Sequence, residues 1–207
     1  MKNIPIVAIL SLVGLAGACA SSPETTNKTT NTVAINTASN TASNAATTNA
    51  APKTDNDAPA SIKAVFPDAQ SFTTQHKDIP PSAITSIEKD TDSKVPDKDH
   101  HSYLAFSTAG GARKQVGAAT IVKVEGRDVI IVYDNKDGSP IIKEVRADGV
   151  PAPFLAQFAG KGHDNDLLLG VDIKASGANE AQAKAITEAV RVDVLTMQAL
   201  YGAAHKH

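Results

Sequence analysis

The sequence is poor in the residues from which disulfide frameworks, thiolate metal sites and aromatic-rich sites are built. Its 207 residues include one cysteine, no tryptophan, five phenylalanines and three tyrosines. One cysteine excludes an internal disulfide and a zinc site built from several thiolates. Charge of neither sign dominates, with 20 Lys and Arg against 22 Asp and Glu, which argues against a nucleic-acid partner. The longest apolar run, residues 4–18, is shorter than the roughly 20 residues that span a bilayer.

That short run explains the lone cysteine. Lys2 precedes it, as in a secretory signal peptide, and small residues lead directly to Cys19. The segment Leu15-Ala16-Gly17-Ala18-Cys19 looks like a bacterial lipobox, in which cleavage leaves an acylated cysteine as the first residue. We therefore predict a lipoprotein signal peptide over residues 1–19 and a lipid anchor on Cys19. Ala20-Ser21 carries no Asp retention signal, which favours the outer membrane, facing the periplasm or the exterior. The alternative is a plain secretory leader with an incidental cysteine.

A tether and one folded domain are predicted to follow. Thr, Asn, Ala and Ser make up most of residues 20–60, a composition too polar to offset chain entropy by burial. We predict a disordered spacer there. The simpler alternative is a solvated stalk without further function. All eight aromatic residues lie between Phe66 and Tyr201, so residues 61–202 are predicted to fold and residues 203–207 to form a polar tail.

The pattern of the folded part predicts an α+β domain, in which helices pack on an antiparallel sheet meander. A short helix or turn is predicted at Ser61–Phe66. Helices are predicted from Pro81 and around Phe154–Phe158, and an amphipathic C-terminal helix has the stripe Ile186, Val190, Val194 and Met197. The Pro- and Asp-rich stretch 95–101 is predicted to be a loop. Three or four strands are predicted within residues 103–107, 116–125, 129–133 and 141–145, the last two joined at Asn135-Lys136-Asp137-Gly138.

The loop before the last helix carries the main chemical suggestion. Ser176-Gly177-Ala178-Asn179 combines small residues with an N-cap candidate, Asn179. Free N–H groups at a helix start attract anions, and a phosphate fits such a place. An ordinary capped helix end is the simpler interpretation of these four residues taken alone.

Several segments, in order, resemble the FMN-binding domain family found in the flavin-bearing subunits of the sodium-translocating NADH:quinone reductase and the Rnf complex. They cover about residues 62–202, and the order of the matches is more specific than any one of them. The matching segments are Phe66-Pro67-Asp68-Ala69, Asp137-Gly138, residues 154–161, residues 169–173, Ser176-Gly177-Ala178 and residues 185–190.

The resemblance fails at the flavin acceptor. The family motif is Ser-Gly-Ala-Thr, then any residue, then a Thr or Ser that is esterified to the FMN phosphate. Here Asn179 replaces the first Thr, and the acceptor position falls on Ala181 or, with one extra residue, on Gln182. Neither side chain has a hydroxyl, so a phosphoester cannot form there.

Two functions then follow from the resemblance. In the first, FMN binds without a covalent link: its phosphate rests on the amides of Gly177–Glu180, its ring lies near Phe154 and Phe158, and Lys161 is a candidate phosphate partner. The protein then exchanges electrons with a redox partner protein. In the second, the domain has lost its flavin and serves as a binding or structural module of the envelope. Core packing is the common alternative for the two phenylalanines, and exposure to water is the alternative for Lys161.

Other chemistry has little support in the sequence. The histidines and nearby acids show no regular ligand spacing, so no metal site is predicted. No serine stands in a nucleophile-elbow context, so no catalytic residue is assigned. The histidines and acids considered are His100, His101, His163, His205, His207, Asp97, Asp99, Asp164 and Asp166.

The lipid anchor is testable directly. Replacing the acylated thiol, Cys19→Ser, removes acyl chains that each contribute about 0.8 kcal/mol per buried methylene. We expect the variant to lose incorporated radiolabelled palmitate and to leave the membrane fraction. Palmitate incorporation and membrane association that persist in the variant contradict the assignment.

Overall fold

A five-stranded antiparallel sheet organises residues 58–203, the part of the chain that the computed structural model describes. The predicted α+β fold with its C-terminal helix is confirmed. The strands are β1 (Ser71–Asp78), β2 (Asp99–Ser107), β3 (Lys114–Val124), β4 (Arg127–Lys136) and β5 (Ser139–Ala147). The helices are α1 (Ala60–Val65), α2 (Pro81–Thr91), α3 (Ala152–Leu155), which continues as a 3-10 turn (Ala156–Phe158), and α4 (Glu180–Tyr201). Cys19 and residues 20–57 lie outside the described residues.

The strands follow one another in chain order, so the sheet is a simple meander. Tight turns close its last two hairpins, where Gly126 and Gly138 take positive φ angles of 78° and 85°, a conformation that glycine adopts without steric cost. The Gly138 amide also donates to Asn135 Oδ1 at 3.0 Å. The predicted turn at residues 135–138 is therefore present, although β4 extends through Lys136.

Two predictions about strands were incomplete. The strand β1 was not predicted, because this edge strand has one large apolar residue, Phe72, among polar neighbours. The loop predicted over residues 95–101 was wrong at its end, because Asp99, His100 and His101 begin β2 and pair with β1. Histidine and aspartate are weak strand formers, and the partner strand determines their conformation.

The sheet has an apolar cluster on each face. Along β4, Val129, Ile131 and Tyr133 pack with α4, whereas Ile130 and Val132 pack towards α1. This alternation is the period of two that a pleated strand requires when both faces are covered. We call the two sides of the sheet the α4 face and the α1 face.

The helix α4 has the predicted apolar stripe, since Ile186, Val190, Val194 and Met197 are all buried. The burial of Asp193 was not predicted. This residue lies next to the stripe in the sequence, but it is 4% exposed and lies between α4 and the sheet. A charged residue at this depth needs hydrogen-bond partners, which are described below.

The ordered domain begins slightly earlier than predicted. Ala58 is 3% exposed and packs in the cluster on the α1 face, and α1 begins at Ala60. Residues 58–60, assigned above to the tether, thus belong to the fold. At the other end, the Ala203 amide donates to the Gly138 carbonyl at 2.8 Å, which ties the residue after α4 and Gly202 to the last hairpin.

Gly117 offers a test of the packing on the α1 face. It lies opposite Ala105 next to the β2–β3 bulge, and a Cβ atom there would come within 2.5 Å of Phe66 Cε1. We expect Gly117→Ala to lower the free energy of unfolding by about 1–2 kcal/mol, because overpacking outweighs the entropy gained by removing a glycine. Urea unfolding measures this loss.

The matched control is Gly110→Ala, where nothing lies within 4 Å of the added carbon. It should be neutral or slightly stabilising. The double variant with Phe66→Leu should lose less than the sum of the two single variants, because the smaller side chain makes room for the methyl group. Strict additivity would contradict this explanation.

Candidate functional site

The loop before α4 has the cap that the sequence predicts. Asn179 Oδ1 accepts from the amides of Ala181 at 3.0 Å and Gln182 at 3.4 Å, which satisfies two free donors of the first turn. The Ala178 amide donates to the Ala175 carbonyl. Within residues 58–203 the amides of Gly177, Asn179 and Glu180 have no hydrogen-bond partner. Three of the four amides predicted to hold a phosphate are thus available.

The backbone of this loop is left-handed at two successive residues. Ser176 has a φ of 44° and Gly177 a φ of 89°. The position of Gly177 requires glycine because of this angle rather than because of crowding, since an added Cβ would meet Pro151 at an ordinary 3.9 Å. The loop residues Ser176, Gly177 and Asn179 are exposed and Ala178 is half-buried.

Gln157 holds the loop from the other side. Its Nε2 donates to the Lys174 carbonyl at 2.8 Å and to Ser176 Oγ at 3.0 Å, and its Oε1 accepts from the Lys174 amide at 2.9 Å. One side chain therefore fixes both the approach to the loop and its first residue. Gln157 was not predicted as a site residue, because no pattern in the sequence links it to a loop 17 residues away.

The two phenylalanines predicted near a flavin ring lie in the core. Phe154 and Phe158 are both 0% exposed, and their rings meet edge to face with centroids 5.5 Å apart. They anchor the segment that carries Gln157, because residues 154 and 158 are one turn apart and Gln157 lies on its outer side. In this conformation neither ring offers a surface to a ligand, and core packing accounts for both.

Lys161 is half-buried, and its backbone is tied to β5. Its carbonyl accepts from the Ile142 amide at 2.8 Å and its amide donates to the Phe158 carbonyl at 3.1 Å. Its ammonium group forms no ion pair with any described residue. Lys161 is therefore available to an anion, without a contact that joins it to residues 176–180.

A buried polar cluster, which was not predicted from the sequence, joins α4 to the sheet. Asp193 accepts three hydrogen bonds: from Thr120 Oγ1 at 2.6 Å, from Tyr133 Oη at 2.7 Å and from His100 Nε2 at 3.0 Å. Three donors around one carboxylate suit the ionised form, which can only accept. Burial, reinforced by the neighbouring Asp193, raises the pKa of Tyr133 well above its ordinary value, so its hydroxyl stays a donor.

Two cavities lie beside this cluster. The β2–β3 ladder ends at Tyr103 and Ala119, and a cavity of about 530 Å³ opens between the unpaired parts of the two strands, over Asp193. His100 lines it and, within the described residues, its Nδ1 atom has no partner. A second cavity, of about 740 Å³, is bordered by Tyr133 and Tyr201. Residues 176–180 line neither of them.

The strand pairing also separates two neighbouring histidines, as their adjacency predicts. His100 faces α4, whereas His101 faces the opposite side with Asp99 and its cross-strand partner His76. The grouping of these last three residues was not predicted, because His76 is 23 residues from Asp99 in sequence and lies on β1, a strand without a clear sequence signal.

No protein-family model, curated protein or solved structure matches the chain. Among residues 58–203, no helix is long and apolar enough to cross a membrane.

The cluster around Asp193 should be a main source of stability. Asp193→Ala leaves the donors of Thr120, Tyr133 and His100 buried without their acceptor, and we expect the free energy of unfolding to fall by about 3 kcal/mol or more. Urea unfolding followed by far-ultraviolet circular dichroism measures the change.

The matched control is Asp128→Ala, which removes an exposed carboxylate paired with Lys123. Such surface pairs contribute roughly 0–1 kcal/mol. A loss of less than about 1 kcal/mol in Asp193→Ala would mean that the cluster is not the link between helix and sheet.

Proposed function

We propose that the chain is a lipid-anchored protein of the bacterial envelope whose domain is of the FMN-binding type, and that it holds FMN non-covalently for electron transfer. The anchor is Cys19 and the site is the loop from Ser176 to Glu180. We expect the redox partner to be another protein that docks on the domain.

The observation that carries the proposal is the geometry of this loop. Its left-handed turn at Gly177 exposes backbone that a side chain would cover, and the amides of Gly177, Asn179 and Glu180, in a segment facing water, have no partner among residues 58–203. These amides stand at the positive end of α4, the longest helix described, where an anion is favoured. The same loop matches the Ser-Gly-Ala part of the family motif.

The phosphate would provide most of the binding in this arrangement. Phe154 and Phe158 are buried beneath the loop segment, so the ring of the flavin would lie on the surface near Pro151 rather than between aromatic side chains. A ring exposed to water suits exchange of electrons with a partner protein that docks over it. The protein would orient the cofactor, and the flavin would supply the redox chemistry.

A second candidate is the flavin-free module of the envelope, and one observation favours it. Asn179 already fills part of the helix terminus with its own side chain, and Glu180 adds a negative charge in the first turn. Both features suit a stable helix end. The charge of Glu180 also opposes a phosphate.

Asn179→Asp separates the two candidates. Asp caps a helix as well as Asn does, so the free energy of unfolding should stay within about 0.5 kcal/mol. The added charge beside a phosphate should weaken FMN binding by roughly five- to thirtyfold, since like charges about 4 Å apart cost about 1 kcal/mol per pair in water. Fluorescence anisotropy of the flavin during titration with the protein measures the affinity.

Riboflavin and Glu180→Gln are the controls. Riboflavin lacks the phosphate, so Asn179→Asp should not change its binding. Glu180→Gln removes a negative charge and should strengthen FMN binding. This effect is opposite to that of Asn179→Asp. If the unmodified protein gives no saturable rise in the fluorescence anisotropy of FMN, the flavin-free module is the supported function; equal losses for FMN and riboflavin would show that the loop does not hold the phosphate.

A further inference from the structure

Two histidines and an aspartate meet on the α1 face of the β1–β2 pair. His76 and His101 are direct cross-strand partners, which brings side chains on one face close together. Asp99 lies two residues along β2 on the same face. Its Oδ2 atom is 3.1 Å from His76 Nδ1 and 2.9 Å from His101 Nε2, and the three ligand atoms all lie within 4.8 Å of one another.

We propose that His76, Asp99 and His101 form a zinc site. Two imidazole nitrogens and one carboxylate oxygen are a ligand set that suits zinc, whereas calcium and magnesium prefer oxygen alone. Ligand atoms about 2.1 Å from a tetrahedral ion lie about 3.4 Å apart. The two measured N···O distances therefore need to widen by a few tenths of an ångström, which rotation of exposed side chains provides.

The surroundings keep these ligands available. Their side chains are 54%, 40% and 49% exposed for His76, Asp99 and His101, so an ion enters without rearrangement of the core. The Asp99 amide donates to Asp97 Oδ1 at 3.1 Å, which fixes the start of β2.

The site is open on its outer side. Three protein ligands leave a fourth position for water, as in zinc sites that exchange ligands and unlike closed structural sites with four protein ligands. An ion here would join β1, the edge strand, to β2 by a second connection besides the backbone ladder. The zinc site would also be independent of the loop at residues 176–180, where α4 begins.

Zinc titration of the full chain tests the proposal. The background carries Cys19→Ser, His205→Ala and His207→Ala, which removes a thiol and two tail histidines that compete for the ion. Calorimetry should show one zinc per chain, and thermal unfolding should shift upward with zinc. Magnesium and calcium should give neither effect.

Variants locate the ion. His76→Ala, Asp99→Asn and His101→Ala should each weaken zinc binding by at least tenfold. His163→Ala, which alters a histidine paired with Asp164 elsewhere, should leave the affinity unchanged. Circular dichroism of each variant without metal checks the fold, and these exposed positions should not alter it.

Two results would overturn the proposal. One is the absence of one-to-one zinc binding at micromolar concentrations in the background chain. The other is binding that survives the three ligand variants undiminished. Neither result bears on flavin binding, because FMN binding is measured in the absence of zinc and involves residues 176–180 instead.

Discussion

One buried carboxylate constrains the arrangement of this domain. Asp193 lies on the buried face of α4, and a charge at that depth is tolerated only if several donors surround it. The sheet supplies these donors from three strands: His100 on β2, Thr120 on β3 and Tyr133 on β4. Because each donor comes from a different strand, the helix has one position and one rotation in which all three bonds form. Apolar packing alone would constrain the position and the rotation of α4 less tightly.

The same constraint determines what β2 presents on its other face. His100 must point to α4 to reach Asp193, and a strand alternates its side chains, so Asp99 and His101 must point away. On β1, Lys77 lies opposite His100 and reaches the end of α4, where its ammonium donates to the Leu200 carbonyl at 3.1 Å. His76 is therefore turned to the opposite face as well. The two histidines and the aspartate meet there because the inner face of the same strands is occupied.

The sequence predicted the elements whose signals are local. The cap at Asn179, the stripe of α4 and the turn at Gly138 depend on residues within a few positions of each other, and the structure has all three. It did not predict β1, the burial of Asp193 or the neighbours of Asp99, because each depends on a partner far along the chain. A polar edge strand has no apolar alternation to detect, and a single aspartate in an apolar stripe looks like a residue at its border. Gln157 was not predicted for the same reason, because its role depends on contacts with residues 174 and 176.

If the domain holds FMN as proposed, the missing hydroxyl changes the kind of flavoprotein that it would be. An ester bond keeps a flavin in place whatever the concentration outside, whereas a non-covalent site is filled only in proportion to free ligand over its dissociation constant. With the phosphate on three amides and the ring facing water, few contacts oppose release, because the nearest aromatic side chains are buried. A domain of this design would therefore carry flavin where flavin is abundant and be empty elsewhere. Its redox role would then depend on the supply of FMN as well as on its partner protein, a dependence that covalent attachment abolishes.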